Sequence, residues 1–146
     1  FSDVLNSSGT HLSDLEIVDL VRRMALESRL SVNSGRLSTL ALSTGQRKRL
    51  ALLQCYAEDR EINVFDEWTA DQDPEFRDHF YHVLLPDLSR RGKTVLVVTH
   101  DDRYYHLADR IIELDGGMIV SNAASIGRGD DDPRVPSDKL NRGHSI

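Results

Sequence analysis

A stripe of apolar residues recurs at helical spacing near the start of the chain, behind a capping-box pattern at Ser13 and Glu16. In such a box, the serine hydroxyl and the glutamate carboxylate satisfy free backbone amides at a helix N-terminus. Residues three and four apart share one face of a helix, so the stripe predicts an amphipathic helix to about residue 30, broken by residues 31–35. The stripe consists of Leu15, Val18, Val21 or Arg22, Ala25 and Leu26.

A second helix is predicted from Ser43 to Glu58, and a third from Asp73 to about Pro86. Asp73 followed by Pro74 is typical of an N-cap and a first helical position, because the amide that proline lacks would be unpaired there in any case. The residues predicted to face inward are Leu50, Leu53 and Ala57 in the second helix and Phe76, Phe80, Val83 and Leu84 in the third.

Two short apolar runs, residues 62–65 and 94–98, are bounded by polar residues and predict buried strands. The second run is apolar almost throughout, which is typical of a strand covered on both faces in a parallel sheet. Helices and strands together therefore favour an α/β fold.

Beyond His100 the sequence predicts a short helix and then a β-hairpin, because residues 110–114 and 118–120 flank the turn formed by residues 115–117. From Ser121 onward the chain has almost no apolar residues to bury. Residues 121–146 are therefore predicted to be a disordered polar tail behind a single domain over residues 1–120.

The net charge of −6 and the isoelectric point near 5.4 argue against a nucleic-acid partner, since such binding depends on clustered Lys and Arg. The one dense basic run, residues 47–49, is interpreted as a solvated helix face. The single cysteine, Cys55, excludes an internal disulfide and is interpreted as a buried apolar residue. No signal-peptide pattern and no apolar run near the roughly 18 residues of a membrane span occurs, so any membrane path would lie outside these residues.

The segment Leu42-Ser43-Thr44-Gly45-Gln46 opens the second predicted helix. A serine hydroxyl and unobstructed glycine amides at a helix N-terminus, where the helix dipole is positive, favour phosphate binding. The alternative is a simple serine N-cap. Thr44 is expected to have a negative φ, because a β-branched residue would be strained at positive φ.

Acidic and imidazole side chains follow the two predicted strands. Asp66 and Glu67 end the first strand, where open α/β sheets bind ligands, and His100 ends the second. Asp66 could hold Mg²⁺, Glu67 could orient or deprotonate an attacking water, and His100 could donate a hydrogen bond to a phosphate oxygen. Taken singly, the alternatives are an acidic loop start and a structural histidine.

The order of these features resembles that of ATP-binding-cassette (ABC) ATPases, from Phe1 to about Val120. The family's LSGGQ signature matches residues 42–46, the strand with its Asp-Glu pair matches 62–67, the D-loop matches 70–73 and the H-loop matches 99–100. The resemblance implies the C-terminal part of a P-loop NTPase (ABC-type) domain, truncated before the Walker A strand. Such a part comprises a helical signature subdomain and mainly parallel strands.

The same resemblance implies ATP and Mg²⁺ as cofactors and an ATPase reaction. The residues it assigns are Glu67 and His100 for catalysis, Asp66 for the metal, and Ser43, Thr44, Gly45, Gln46 and Asp73 for nucleotide binding. In this family ATP lies between two ATPase subunits, so the expected partner is a second copy. Ser43 and Gly45 would then serve the partner's nucleotide, and Glu67 and His100 this chain's own.

Longer matches resemble one branch of the family, the cyclic-peptide exporter branch of bacterial inner-membrane exporters for siderophores, lipopeptides and lasso-type microcins. They are residues 42–53, 65–88 and 99–119, and they include Trp68 in place of the alanine usual after the Asp-Glu pair. This resemblance implies a transmembrane domain in the same parent chain and a location at the cytoplasmic face of the bacterial inner membrane.

The Walker A motif GxxxxGK[ST] is absent from the sequence. The one Gly-Lys-Thr triplet, residues 92–94, precedes a strand rather than a helix and has Asp87 in place of the first glycine. The start on Phe1 is interpreted as the middle of a longer chain. We therefore expect the isolated polypeptide to hydrolyse ATP negligibly and to be aggregation-prone or partly molten. The alternatives to an exporter are a non-transport ABC ATPase fragment, as in DNA repair or translation, and an inactive truncated remnant.

Overall fold

The computed structural model describes residues 13–33, 36–39 and 41–124. The chain divides into two compact units, Phe1–His100 and Asp101–Ile146, where the sequence predicted one domain to residue 120. Most of the predicted tail, residues 125–146, lies outside the described residues.

Helix α1, Asp14–Arg23, begins at the predicted capping box: the Ser13 hydroxyl accepts from the Glu16 N–H at 3.4 Å, and the Glu16 carboxylate accepts from the Ser13 N–H at 2.8 Å. It ends earlier than predicted because Ala25 takes a left-handed conformation with φ 51°. The predicted apolar stripe was wrong in part: Leu15 and Val18 are 82% and 41% exposed, whereas Val21 and Leu26 are buried. The buried residues of the helix, Ile17, Leu20 and Val21, form a second stripe of equal periodicity.

A short antiparallel hairpin follows, in a region where the sequence predicted only a break. Strand β1, Leu30–Asn33, pairs with strand β2, Arg36–Thr39. The alternation in these strands is too short to separate from a loop by sequence pattern alone.

Helix α2, Thr44–Glu58, has the predicted bounds and supplies much of the core of the first unit. Tyr56 anchors it to a later helix, because its hydroxyl donates to the Leu84 carbonyl at 2.7 Å. Burial raises the pKa of Tyr56 to about 12, so the phenol stays protonated at neutral pH. The buried residues of α2 are Leu50, Leu52, Leu53, Tyr56 and Ala57.

Strands β3, Ile62–Asp66, and β4, Thr94–Val98, form the predicted parallel pair. Their register sets Asp66 opposite Val98, so both strands end at the same edge. The Glu67 N–H continues the ladder by donating to the Val98 carbonyl at 3.0 Å. The residues that follow the two strands are thereby brought together.

The parallel pair is covered on one face rather than on both, as the sequence predicted for β4. Phe65 is 3% exposed on the inner face. On the outer face, Ile62, Val64, Leu96 and Val98 are 64%, 59%, 52% and 49% exposed. Among the described residues, this is an apolar strand surface open to solvent.

We expect this outer face to make a polypeptide limited to residues 1–146 aggregate, because flat apolar strand surfaces and open strand edges pair between molecules. The double substitution Val64→Thr and Leu96→Thr should increase the monomeric fraction, measured by size-exclusion chromatography with light scattering. Leu15→Thr with Val18→Thr is the matched control, since it removes two exposed apolar residues from a helix. An equal gain from the control would contradict this explanation.

The third predicted helix runs past Pro86 instead of ending there. It consists of helix α3, Pro74–His79, a π-helical turn, Phe80–Leu84, and helix α4, Leu85–Arg90. Proline normally clashes with the carbonyl four residues before it, and the widened turn just upstream relieves that crowding. Phe76, Phe80 and Leu84 are buried as predicted, whereas Val83 is 41% exposed.

The second unit contains a 3₁₀ helix, Asp102–Leu107, and the predicted hairpin of strands β5, Arg110–Asp115, and β6, Met118–Ala124. Gly116 and Gly117 both have positive φ, as a tight hairpin turn requires. Strand β6 extends to Ala124, so the predicted tail boundary at residue 121 was wrong by four residues. No helix among the described residues has the length and apolar character needed to cross a membrane.

Candidate functional site

The mouth of α2, meaning its N-terminal turn at residues 43–46, is held by a capping box between Ser43 and Gln46. The Ser43 hydroxyl accepts from the Gln46 N–H at 3.2 Å, and the Gln46 side-chain oxygen accepts from the Ser43 N–H at 3.0 Å. The simple N-cap interpretation of Ser43 is therefore correct. It does not exclude phosphate binding, since a hydroxyl that accepts one hydrogen bond still has its own proton to donate.

Thr44 and Gly45 follow the cap, and the structure explains both residue types. The φ of Thr44 is not positive, as expected for a β-branched residue. Gly45 is needed for close packing: a Cβ at this position would lie 2.5 Å from the carbonyl oxygen of Asp71. The signature glycine therefore abuts the loop that follows β3.

Glu67 and His100 meet at the carboxyl edge of the parallel strands. The Nδ1 of His100 lies 3.0 Å from an Oε1 of Glu67, and the imidazole is 87% exposed. Glu67 reaches this position in a left-handed conformation, with φ 42° and ψ 35°. Non-glycine residues adopt such backbone angles at a cost of about 1–3 kcal/mol, and they are concentrated at functional sites.

Asp66, the predicted magnesium ligand, is exposed at the last position of β3. No group of three or more His, Cys, Asp or Glu residues among the described residues is arranged to hold a metal. A single carboxylate is nevertheless the chemistry expected of Mg²⁺ in nucleotide sites, where water and phosphate supply most ligands. Asp66 thus fits as one ligand of a nucleotide-borne ion.

The loop after β3 begins with a 3₁₀ helix, Trp68–Asp71, and continues through Gln72 and Asp73 to α3. Lys48 and Arg49 of α2 bind this loop, contrary to their interpretation as a solvated face. Lys48 Nζ donates to the Trp68 carbonyl at 3.3 Å and pairs with Asp71 at 2.7 Å. Arg49 Nε donates to the Gln72 side-chain oxygen at 2.8 Å.

Asp73, which the family resemblance assigned to nucleotide binding, forms hydrogen bonds and an ion pair within the protein. Its carboxylate caps α3 by accepting the Phe76 N–H at 2.9 Å, and it pairs with the Arg49 guanidinium. The pKa of this carboxyl is lowered, first because of the Phe76 amide and then because of Arg49. Its stabilising contribution is therefore present above the pKa of the unfolded chain and is lost as pH falls through the folded-state value.

An aromatic cluster supports the same loop from inside. The Trp68 ring stacks on Phe80 at 4.5 Å between centroids, and Phe65 contacts Phe80 edge-on at 5.3 Å. Phe76 lies beneath the Arg49 guanidinium, which is 3.8 Å from its ring centroid. These contacts fix the chain immediately after Glu67.

The structure thus brings Glu67 and His100 into contact, and it packs the mouth of α2 against the loop after Glu67. Sequence reasoning missed Lys48, Arg49 and Gln72 as parts of this arrangement. A polar residue in a loop has no periodicity, and a basic run on a helix is most often solvated. Gln72 lies within the D-loop match, residues 70–73, but nothing in the sequence predicts its contacts with α2.

The sequence is similar to parts of several known ATP-binding proteins. No protein-family model matches the chain. It is 55% identical over 113 residues to the ATP-binding protein SyrD of Pseudomonas syringae pv. syringae, a match that covers 77% of this chain and 19% of that protein. It is 33% identical over 106 residues to the L-cystine import ATP-binding protein TcyC of Bacillus subtilis, covering 72% of this chain and 40% of that protein.

A solved structure shares the fold. The dimeric post-hydrolysis state of the ATP-binding cassette MJ0796, bound to ADP and Pi, superposes with a TM-score of 0.60 at 24% identity. The match covers 76% of this chain and 46% of that one. This chain therefore has the fold of part of an ATP-binding cassette, and it spans less than half the length of each protein named here.

Proposed function

Because this chain is homologous to part of the ATP-binding proteins of ABC transporters, we propose that it contributes to two nucleotide sites. Asp66, Glu67 and His100 form the hydrolytic edge of one site, and residues 43–46 form the signature edge of the other. The observation that carries this proposal is the 3.0 Å contact between Glu67 and His100 at the end of two parallel strands. A carboxylate and an imidazole in contact at this edge suit hydrolysis of the terminal phosphoanhydride bond of a bound nucleotide.

At the hydrolytic edge, Glu67 holds the attacking water and accepts its proton, and His100 donates a hydrogen bond to a terminal phosphate oxygen. Asp66 would hold Mg²⁺, which supplies charge neutralisation for the phosphates when bound. The exposure of His100 leaves its ring accessible to a nucleotide. Phosphoryl transfer depends mainly on positioning and electrostatic stabilisation, and both residues are positioned by the paired strands.

At the signature edge, Ser43, Thr44, Gly45 and Gln46 present the N-terminal turn of α2 to the nucleotide of a partner ATPase subunit. The helix dipole and first-turn amides favour an anion there, and the Ser43 hydroxyl retains its proton as a donor. Asp73 takes part indirectly, by holding Arg49 against the loop. The partner is a second copy of the parent protein.

We further propose that the parent protein is an exporter of a cyclic peptide or siderophore, acting at the cytoplasmic face of a bacterial inner membrane. The resemblance of residues 42–53, 65–88 and 99–119 to the cyclic-peptide exporter branch supports an exporter over an importer. The transmembrane path would belong to the same parent chain. ATP hydrolysis by this domain would then drive transport.

The test uses the gene product at its full encoded length, with the sequence encoded upstream of Phe1. We expect that upstream sequence to contain GxxxxGK[ST] and six hydrophobic spans. The purified protein should hydrolyse ATP in the presence of Mg²⁺, and membrane vesicles containing it should accumulate a siderophore or lipopeptide only with ATP. A full-length protein without ATPase activity would refute the proposed reaction, and activity without transport would refute the exporter assignment alone.

A further inference from the structure

Gln72 is a buried polar residue in the loop after β3, with an exposed fraction of 5%. Both ends of its amide are used. Its Nε2 donates to the Gly45 carbonyl at 3.2 Å, and its Oε1 accepts from Arg49 Nε at 2.8 Å. A buried polar side chain is retained at low cost only when such partners are present, so Gln72 is specified by its two contacts with α2.

The backbone of the loop meets α2 equally closely. A Cβ on Gly45 would lie 2.5 Å from the Asp71 carbonyl oxygen and 3.6 Å from Gln72 Nε2. Lys48 adds the bond to Trp68 and the ion pair with Asp71. Helix α2 therefore contacts this loop at Trp68, Asp71, Gln72 and Asp73.

Backbone hydrogen bonds connect this loop to Glu67. The Gln72 N–H donates to the Thr69 carbonyl at 3.1 Å, and the Ala70 N–H donates to the Glu67 carbonyl at 3.2 Å. A displacement of Gly45 is thus carried by the Gln72 side chain into a hydrogen-bonded turn whose first residue is Glu67. Packed elements with few free torsions transmit such displacements.

We propose that Gln72 is a positioning residue that makes the signature turn and the loop behind Glu67 one rigid unit. The proposal rests on the proposed function, because it assigns a role in that ATPase reaction.

The experiment compares three variants of the full-length protein. Gln72→Leu removes both hydrogen bonds at similar volume. Gln72→Glu keeps an acceptor for Arg49 but loses the donor to Gly45, which separates the two contacts. Gln54→Leu is the matched control. Gln54 lies on α2, the helix that Gln72 contacts, and donates to Glu58 at 2.7 Å, away from the loop.

We expect both Gln72 variants to lower kcat about 10- to 100-fold while leaving KM for ATP within about twofold, since a small misplacement of a catalytic group affects turnover rather than binding. Amide hydrogen exchange should accelerate together in residues 43–48 and 67–73. Gln54→Leu should change neither the rate nor the exchange of these segments. A merely structural Gln72 would lower the melting temperature without this division between kcat and KM.

A wild-type kcat in Gln72→Leu, or a raised KM with kcat unchanged, would overturn the inference. Wild-type activity in Gln72→Glu would also overturn it, because the Gly45 contact would then be dispensable. If Gln72→Leu does not fold, the Gln72→Glu result decides. An inactive wild-type protein would refute the proposed function itself, whereas an active wild type with active Gln72 variants refutes only the positioning role.

Discussion

Glu67→Gln in the full-length protein is expected to lower kcat for ATP hydrolysis about 100- to 10,000-fold, the range associated with loss of a general base. Glutamine has nearly the same shape as glutamate and can still face His100 across the 3.0 Å contact. It cannot accept a proton from the attacking water. Nucleotide binding should persist, because the proposed phosphate contacts are made by His100, by Mg²⁺ at Asp66 and by the signature turn rather than by Glu67.

The measurement is steady-state ATPase activity together with nucleotide binding by fluorescence titration. Glu61→Gln is the matched control, since Glu61 lies just before the same strand, is 85% exposed in its side chain and pairs with Lys93. It should retain wild-type kcat, as exposed ion pairs contribute about 1 kcal/mol or less. A Glu67→Gln protein that turns over at more than about a tenth of the wild-type rate would exclude Glu67 as the base.

Gly45→Ala is expected to have the second largest effect, through packing. Alanine favours a helix over glycine by up to about 1 kcal/mol, which would stabilise α2. The added methyl, however, would lie 2.5 Å from the Asp71 carbonyl, and overpacking of this kind costs about 1–3 kcal/mol. Since the neighbour is backbone held by Lys48 and Gln72, we expect the clash to prevail.

In the Gly45→Ala protein, the added methyl should therefore push the mouth of α2 away from the loop. We expect the variant to lose most of its ATPase activity and to unfold at a lower urea concentration. Ala51→Ser, which adds one heavy atom at an exposed position of the same helix, is the control and should behave as wild type. Unchanged activity and an increased unfolding midpoint in Gly45→Ala would mean that the loop moves aside, and the rigid contact would be refuted.

Local sequence signals predicted the ends of elements well where a side chain satisfies the backbone directly. The capping box at Ser13, the cap at Asp73 and the glycine turn at residues 116–117 formed as predicted, and Ser43 caps α2 as the alternative interpretation had it. Each depends on residues within about three positions of one another, so no distant contact can alter it. The parallel strands that set Glu67 beside His100 were also predicted from their apolar runs.

The tertiary structure decided which of two equal stripes on α1 is buried, because Leu15 and Ile17 belong to faces of the same periodicity. It also decided that Lys48 and Arg49 bind a loop instead of solvent, and that the helix continues past Pro86.

The sequence by itself determined the caps, the turns and the order of the site residues, since these follow from local hydrogen bonding and from where strands end. Only the tertiary structure revealed the contacts of Gln72, whose partners lie 23 and 27 positions away along the chain. Contacts between residues so far apart depend on how helices and strands pack, and no local pattern encodes them.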